Sequence, residues 1–200
     1  MILDYDDDSI RIVVSTANLI DSDWQNRTQA LWVSPKCPKG EGDSPTLFKA
    51  SLIRYLEFYQ ISYLNQYIKK INESDFSKIN AFFIGSVPGS HNGPALSHFG
   101  HMRVGSILRK ELKPCKWPLI VQCSSIGTLG NLPEWLNEVA NSLAPNNKDI
   151  KLVYPSKKNV FQSIEGVFGG GCLPYKKSQH EKQPWLRDYF YQWKSDRCGI

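Results

Sequence analysis

The chain has 200 residues, 41% hydrophobic and 12% aromatic, enough to bury one large core or two small ones and too much for a disordered chain. No apolar run approaches the roughly 18 residues of a membrane-spanning helix, and Met1-Ile-Leu-Asp followed by acidic residues lacks the basic start and apolar core of a signal peptide. A net charge of +5 suits a polyanionic partner and an ordinary basic surface alike, and the five cysteines (37, 115, 123, 172, 198) have no metal-ligand spacing, as expected of cytosolic or nuclear free thiols.

Residues 1–3 read as the tail of a strand and the acidic, polar 4–9 as a turn. The β-branched run 10–16 then reads as a strand buried on both faces, of the kind found in mainly parallel sheets covered by helices. Period-two geometry places Ile12, Val14, Thr16 and Asn18 on one side, with Asn18 at the C-terminal end where open α/β sheets bind ligands. An Asn there offers an acceptor and two donors without charge. It suits a group that orients a charged neighbour or holds an anionic oxygen, and equally one that ties down a strand-to-loop turn.

Residues 28–33 form a second β segment and 34–46 a Pro/Gly/Lys loop. Ser44-Pro45 resembles a helix start, with the hydroxyl as N-cap and proline in the first helical position. Phe48, Leu52, Tyr55, Leu56 and Tyr59 recur at helical spacing, predicting a helix over 46–60, and a second helical stretch follows to about residue 71. The polar 72–78 breaks the pattern and places a domain boundary there, giving domains 1–76 and 77–200.

The second domain opens with the apolar run 79–84, read as a buried strand, and a loop follows over 90–96. Met102, Leu108 and Leu112 suggest a helix with Arg103, Arg109, Lys110 and Lys113 on its other face. Then come a strand over 117–122, a helix from about 132 to 143, a strand over 150–154, a short helix over 159–164 and a glycine-rich turn over 166–171. Trp185, Leu186, Tyr189, Phe190 and Trp193 mark a last amphipathic helix. Strands alternating with helices predict parallel α/β architecture in both domains.

Between the 117–122 strand and the next helix lies Ser124-Ser125-Ile126-Gly127-Thr128. Small residues let a ligand approach the backbone, and hydroxyls with free amides near a helix start receive phosphate oxygens. It is not a Walker P-loop, because Gly-Lys-Ser/Thr is absent. A tight turn with Ser/Thr caps accounts for the same residues as well as phosphate binding does.

Ser15-Thr-Ala-Asn-Leu-Ile-Asp-Ser-Asp-Trp24 followed by Arg27-Thr-Gln-Ala-Leu-Trp32 resembles the tyrosyl-DNA phosphodiesterases of the phospholipase D superfamily. Four later segments resemble the same family in the same order: Phe83-Ile-Gly-Ser-Val-Pro-Gly89, Gly100-His-Met-Arg103, Gln122-Cys-Ser-Ser-Ile-Gly-Thr-Leu-Gly130 and Gly170-Gly-Cys-Leu-Pro-Tyr175. The likeness covers essentially the whole chain. It implies two incomplete phospholipase D-like domains, each a mixed, mainly parallel sheet flanked by helices. Residues 1–76 would be the C-terminal part of the first and 77–200 the N-terminal part of the second.

The family chemistry uses two His-x-Lys pairs. One His attacks phosphorus to form a phosphohistidine, the other protonates the leaving oxygen and later activates water, and the lysines hold the phosphoryl oxygens. By the resemblance the first pair lies just before the position of Met1 and the second beyond that of Trp193, so the chain resembles a central fragment lacking both. Asn18 and Gln29 remain as supporting residues of the catalytic cluster, while Ser124, Ser125, Gly127 and Thr128 match the DNA-binding loop, Thr128 standing where the family usually has Ser. His180-Glu181-Lys182 has the literal spacing but lies on a helical stretch, where i and i+2 diverge by about 200°. His101-Met102-Arg103 likewise matches a helix near the family's domain junction.

The resemblance therefore implies a fragment of an enzyme that hydrolyses 3′-phosphotyrosyl DNA adducts left by type IB topoisomerases, a DNA-repair function. Its substrate would be a single-stranded 3′ end carrying a topoisomerase-derived peptide, with no metal, cofactor or membrane, in a monomer placed in the nucleus with the cytoplasm left open. The alternative is a truncated paralogue that binds DNA ends without cleaving them. An unrelated α/β phosphate-binding protein is set aside by five ordered matches.

Overall fold

Strands β1 (Ile2–Asp4) and β2 (Ile10–Ser15) are joined by five residues, too few for a crossover, and so pair antiparallel, with Ile2 opposite Ile12 and Asp4 opposite Ile10. Strand β3 (Leu31–Val33) adds to the other edge of β2, also antiparallel, with Val14 opposite Trp32. The structure is a computed structural model that describes residues 1–25, 27–147 and 149–194. They fall into two compact units, one running to Gly100 and the other starting at His101.

In the first unit Ile10 and Ile12 of β2 face helices α2 (Phe48–Phe58) and α3 (Asn65–Asn72) in a core with Cys37, Phe48, Leu52, Ile71, Phe76 and Ile79. Val13 is buried on the opposite face, but Val14 is half exposed, so the strand leaves the core as it nears Asn18. Burial on both faces holds for the first half of β2. The parallel pairing expected around it does not, because a five-residue turn permits only a hairpin.

Helix α2 starts later than Ser44-Pro45 suggests. Leu47 adopts a left-handed conformation (φ 56°) before the first turn, and the free amides are met from upstream: Ser44 Oγ accepts from Phe48 N (2.9 Å), and the Asp43 carboxylate accepts from Lys49 N (2.8 Å) and Ala50 N (3.0 Å). The largely buried Lys49 ammonium donates to Asn72 O (3.2 Å) at the C-terminal end of α3, where the helix dipole favours a cation.

Residues 79–84, expected as a strand, have no strand partner and are irregular. They close the first core instead. Phe83 lies edge-on to Phe48 and Tyr55, each 5.5 Å between ring centroids, and the Thr46 hydroxyl donates to the Ala81 carbonyl. A Cβ at Gly85 would fall 2.4 Å from the Tyr55 ring, so only glycine lets the chain pass there. The polar break near residue 76 thus falls inside the first compact unit, with Phe76 and Ile79 both buried in its core.

The second unit is the parallel α/β arrangement that alternation predicts. Strands β4 (Leu119–Gln122), β5 (Ile150–Val153) and β6 (Phe190–Tyr191) run parallel in that order, with Leu119 opposite Ile150 and Leu152 opposite Phe190. Helix α5 (Glu134–Leu143) connects β4 to β5 and supplies Leu136 and Ala140 to a core with Ile126, Ile150, Leu152 and Leu186. Helix α4 (Gly100–Glu111) precedes them. Helix α6 (Lys157–Phe161) begins at a capping box of Ser156 and Asn159, two residues before the predicted start.

The final amphipathic helix is corrected. His180 lies on a short helix, α7 (Lys177–Lys182), and the aromatic residues after it form a 3-10 segment, Pro184–Tyr189, that runs into β6. Pro184 separates the two helical turns because it cannot continue the hydrogen-bond ladder of α7. Among the described residues no helix is long and apolar enough to cross a membrane.

Candidate functional site

Asn18 stands three residues past the end of β2, exposed, and Gln29 lies two residues before β3. They are joined through Asp23, which is buried in the short helix α1 (Asp21–Gln25). Both the main-chain N–H and the side-chain Nδ2 of Asn18 donate to Asp23 Oδ2 at 2.8 Å, while Arg27 forms an ion pair with Oδ1. Gln29 Nε2 donates to the Asp23 main-chain carbonyl (3.1 Å), and its Oε1 accepts from the Thr16 hydroxyl (2.6 Å). Trp24 closes the ring by donating its indole N–H to Asn18 O (2.9 Å).

Asp23 is the hub that sequence reasoning passed over. The Asn18 N–H, the Asn18 side chain and the Arg27 guanidinium hold its carboxyl below the ordinary value, outweighing the opposite effect of its surroundings' low polarity. The signal was present: Asp-x-Asp-Trp lies between two polar residues of interest, with Asp23 four positions before Arg27.

In the second unit Ser124, Ser125, Gly127 and Thr128 form the loop leaving the C-terminal end of β4, and all four are exposed. Between them Ile126 is buried in the core and pins the loop from below. Its main chain is fastened by side chains from distant segments. Tyr154 Oη donates to Ser124 O (3.3 Å), Gln183 Nε2 to Gly127 O (3.1 Å) and Trp185 Nε1 to Gly130 O (3.1 Å), while Leu129 N donates to Gln183 Oε1 (2.9 Å).

Among the described residues, no hydrogen bond engages the hydroxyl of Ser124, Ser125 or Thr128. A Cβ at Gly127 would meet nothing within 4 Å, so packing inside the unit does not require glycine there. Beneath the loop, burial pushes the Cys123 thiol up, opposed by the Ser125 N–H, and burial likewise raises the Tyr154 phenol. Both remain neutral groups near pH 7.

The two histidines with a basic residue two positions on are placed by other contacts. His101 Nδ1 lies 3.0 Å from Ser142 Oγ, and its Nε2 lies 3.7 Å from Glu138. His180 stands between Tyr175 Oη (3.2 Å from Nδ1) and Arg187 Nε (3.1 Å from Nε2), over the Phe190 ring. Neither is on a strand. Among the described residues no group of three His, Cys, Asp or Glu side chains gathers to hold a metal ion.

Each unit is a three-stranded sheet with helices packed against it, and the chain has a phospholipase D-like fold. The chain belongs to the tyrosyl-DNA phosphodiesterase family, whose model matches residues 1–198. Tyrosyl-DNA phosphodiesterase 1 of Drosophila melanogaster is 47% identical over 217 residues, taking in 98% of this chain and 37% of its own length. A probable tyrosyl-DNA phosphodiesterase of Caenorhabditis elegans is 33% identical over 215 residues, taking in 98% of this chain and 47% of its own. The yeast tyrosyl-DNA phosphodiesterase crystal structure shares the fold with a TM-score of 0.68 at 21% identity, over 96% of this chain and 51% of that one. The chain thus spans about half or less of the length of these relatives.

Proposed function

We propose that the 124–128 loop binds the phosphate backbone of a single-stranded DNA 3′ end, and that Asn18 and Gln29 support the catalytic cluster of a tyrosyl-DNA phosphodiesterase. The observation that carries this reading is a loop whose main chain is fastened at Ser124, Gly127, Leu129 and Gly130 while three hydroxyls, at Ser124, Ser125 and Thr128, stay exposed and, among the described residues, unbonded. Hydroxyls held in place and left without partners suit the oxygens of an anionic ligand, and the open side of Gly127 leaves room for it. The wider reaction, hydrolysis of a 3′-phosphotyrosyl adduct through a phosphohistidine, with a nuclear DNA-repair role in a monomer, is proposed from family membership. Residues 1–76 are assigned to the C-terminal part of the first family domain and 77–200 to the N-terminal part of the second.

A second reading, a DNA-end binder without turnover, is favoured by the histidines themselves. His101 and His180 are both engaged by neighbours within their own unit, on helices, where an attack on phosphorus has no adjacent strand lysine to hold the phosphoryl oxygens.

The binding site is tested by fluorescence anisotropy with a short labelled single-stranded oligonucleotide at two salt concentrations. Ser125→Ala with Thr128→Ala removes two hydrogen bonds to a charged acceptor, about 3–6 kcal/mol if both are made, and exposure of the loop points to the low end. Affinity is expected to fall at least about a hundredfold, and to fall for both proteins as salt rises. Equal affinities for wild type and double variant would remove this loop from the binding site.

A further inference from the structure

Gln183 is a completely buried polar side chain in an otherwise apolar setting beside Leu186 and Ile126. Its volume would be filled as well by Leu or Met, without the cost of taking an amide out of water. Its bonds explain its presence. Oε1 accepts from Leu129 N, and Nε2 donates to Gly127 O and, at 3.4 Å, to Tyr175 Oη. The two main-chain groups flank Thr128, so one side-chain amide grips both peptide planes on which Thr128 is hung. A side-chain amide offers an acceptor and a donor on two separate atoms of one plane, and Asn is one carbon shorter than Gln.

The orientation of that amide is itself fixed. Arg187 Nε can only donate, so a neutral His180 accepts at Nε2 and carries its proton on Nδ1, where it donates to Tyr175 Oη. Tyr175 Oη then also accepts from Gln183 Nε2, which leaves Oε1 to face Leu129 N–H. The chain Arg187–His180–Tyr175–Gln183 ends on the loop.

We propose that Gln183 is a positioning residue for DNA phosphate. It sets the backbone at Thr128 and, through it, the place of the Thr128 hydroxyl. This rests on reading the 124–128 loop as the phosphate-binding element. It predicts that Gln183 and Thr128 act as one unit in binding although Gln183 is buried away from any ligand.

The test uses the full chain, a labelled single-stranded oligonucleotide ending in a 3′-phosphate, and amide hydrogen exchange at Leu129. Gln183→Met is expected to expose the Leu129 amide to exchange, to weaken binding about tenfold, and to add little to Thr128→Ala, since residues in one network are not additive. Gln183→Glu keeps the acceptor for Leu129 and, while ionised, loses the donor to Gly127. Its affinity relative to wild type should recover between pH 8 and pH 5.5 as the buried carboxyl takes up a proton and becomes a donor, which a purely space-filling role would not produce. If Gln183→Met does not fold, the Glu variant and its pH dependence carry the test. Wild-type binding that depends on Ser125 and Thr128 but ignores Gln183, or effects of Gln183→Met and Thr128→Ala that simply add, would overturn the inference alone. Oligonucleotide binding indifferent to Ser125 and Thr128 would overturn the phosphate reading and the inference with it.

Discussion

Replacing Gly105 by alanine sets two opposed effects against each other in the α4–α5 contact. Gly105 lies inside α4, where alanine is the better helix former by about 0.8–1.0 kcal/mol. Yet a Cβ at 105 would stand 2.3 Å from the Ser142 carbonyl oxygen and 2.9 Å from its carbon, both rigid backbone of α5. The helices must part, and overpacking of this kind costs about 1–3 kcal/mol. The same movement disturbs the Ser142 carbonyl, which accepts from Arg109 at 3.5 Å, and the Ser142 hydroxyl, which lies 3.0 Å from His101 Nδ1, adding about 1 kcal/mol. Sterics win, for a net loss of about 1–3 kcal/mol and a drop in melting temperature of about 2–10 °C for a chain this size. Thermal unfolding followed by circular dichroism measures it. A Gly105→Ala variant that melts higher than wild type, as helix propensity alone dictates, would show that α4 and α5 do not approach so closely.

Two further predictions concern the rest of the chemistry. Because the folded state holds the Asp23 carboxyl below its ordinary 3.8, its contribution to stability is fully present above that pH and is lost as pH falls through the lowered folded value; the Trp24 indole N–H signal in NMR should shift in that acid window in wild type, and the same shift in Asp23→Asn would refute the assignment. Incubated with a 3′-phosphotyrosyl oligonucleotide, the 200-residue chain should release no tyrosine above blank, and turnover abolished by His180→Ala would show that this histidine, held between Tyr175 and Arg187, acts as the nucleophile after all.

How far the sequence revealed the fold depended on whether local signals had one interpretation. The alternation of strands and helices after residue 117 was legible because β4, α5 and β5 are each long enough to show their period, and the parallel pairing follows from the intervening helix. Around β2 the apolar run suggested a parallel sheet, although the turn over 4–9 was already in view and is too short for one. The run 79–84 is apolar because it packs on Phe48 and Tyr55, and burial without a ladder looks the same in sequence as burial with one. At the C-terminal end the apolar spacing of 185, 186, 189 and 190 fits a 3-10 turn and a short strand as well as a helix, and Pro184 was the residue that separated them. The loop hydroxyls could be named from sequence. Gln183 could not, since nothing local indicates that a residue 55 positions beyond Thr128 grips its two flanking peptides.

The two clusters of polar residues differ in what they leave for a ligand. Around Asn18 the main-chain N–H and one Nδ2 hydrogen are given to Asp23, which is in turn neutralised by Arg27. A phosphate taking the second Nδ2 hydrogen would stand beside the Asp23 carboxylate, and two anions on one neutral amide repel. Asn18 and Gln29 both bond Asp23 and so hold the segment after β2 in one shape. The 124–130 loop is the reverse case. There the Ser124, Gly127 and Gly130 carbonyls and the Leu129 N–H are held by Tyr154, Gln183 and Trp185, and among the described residues the three hydroxyls have no partner. Among the described residues no carboxylate is bonded to the loop, and on the proposed reading direct phosphate contact would fall to Ser124, Ser125 and Thr128.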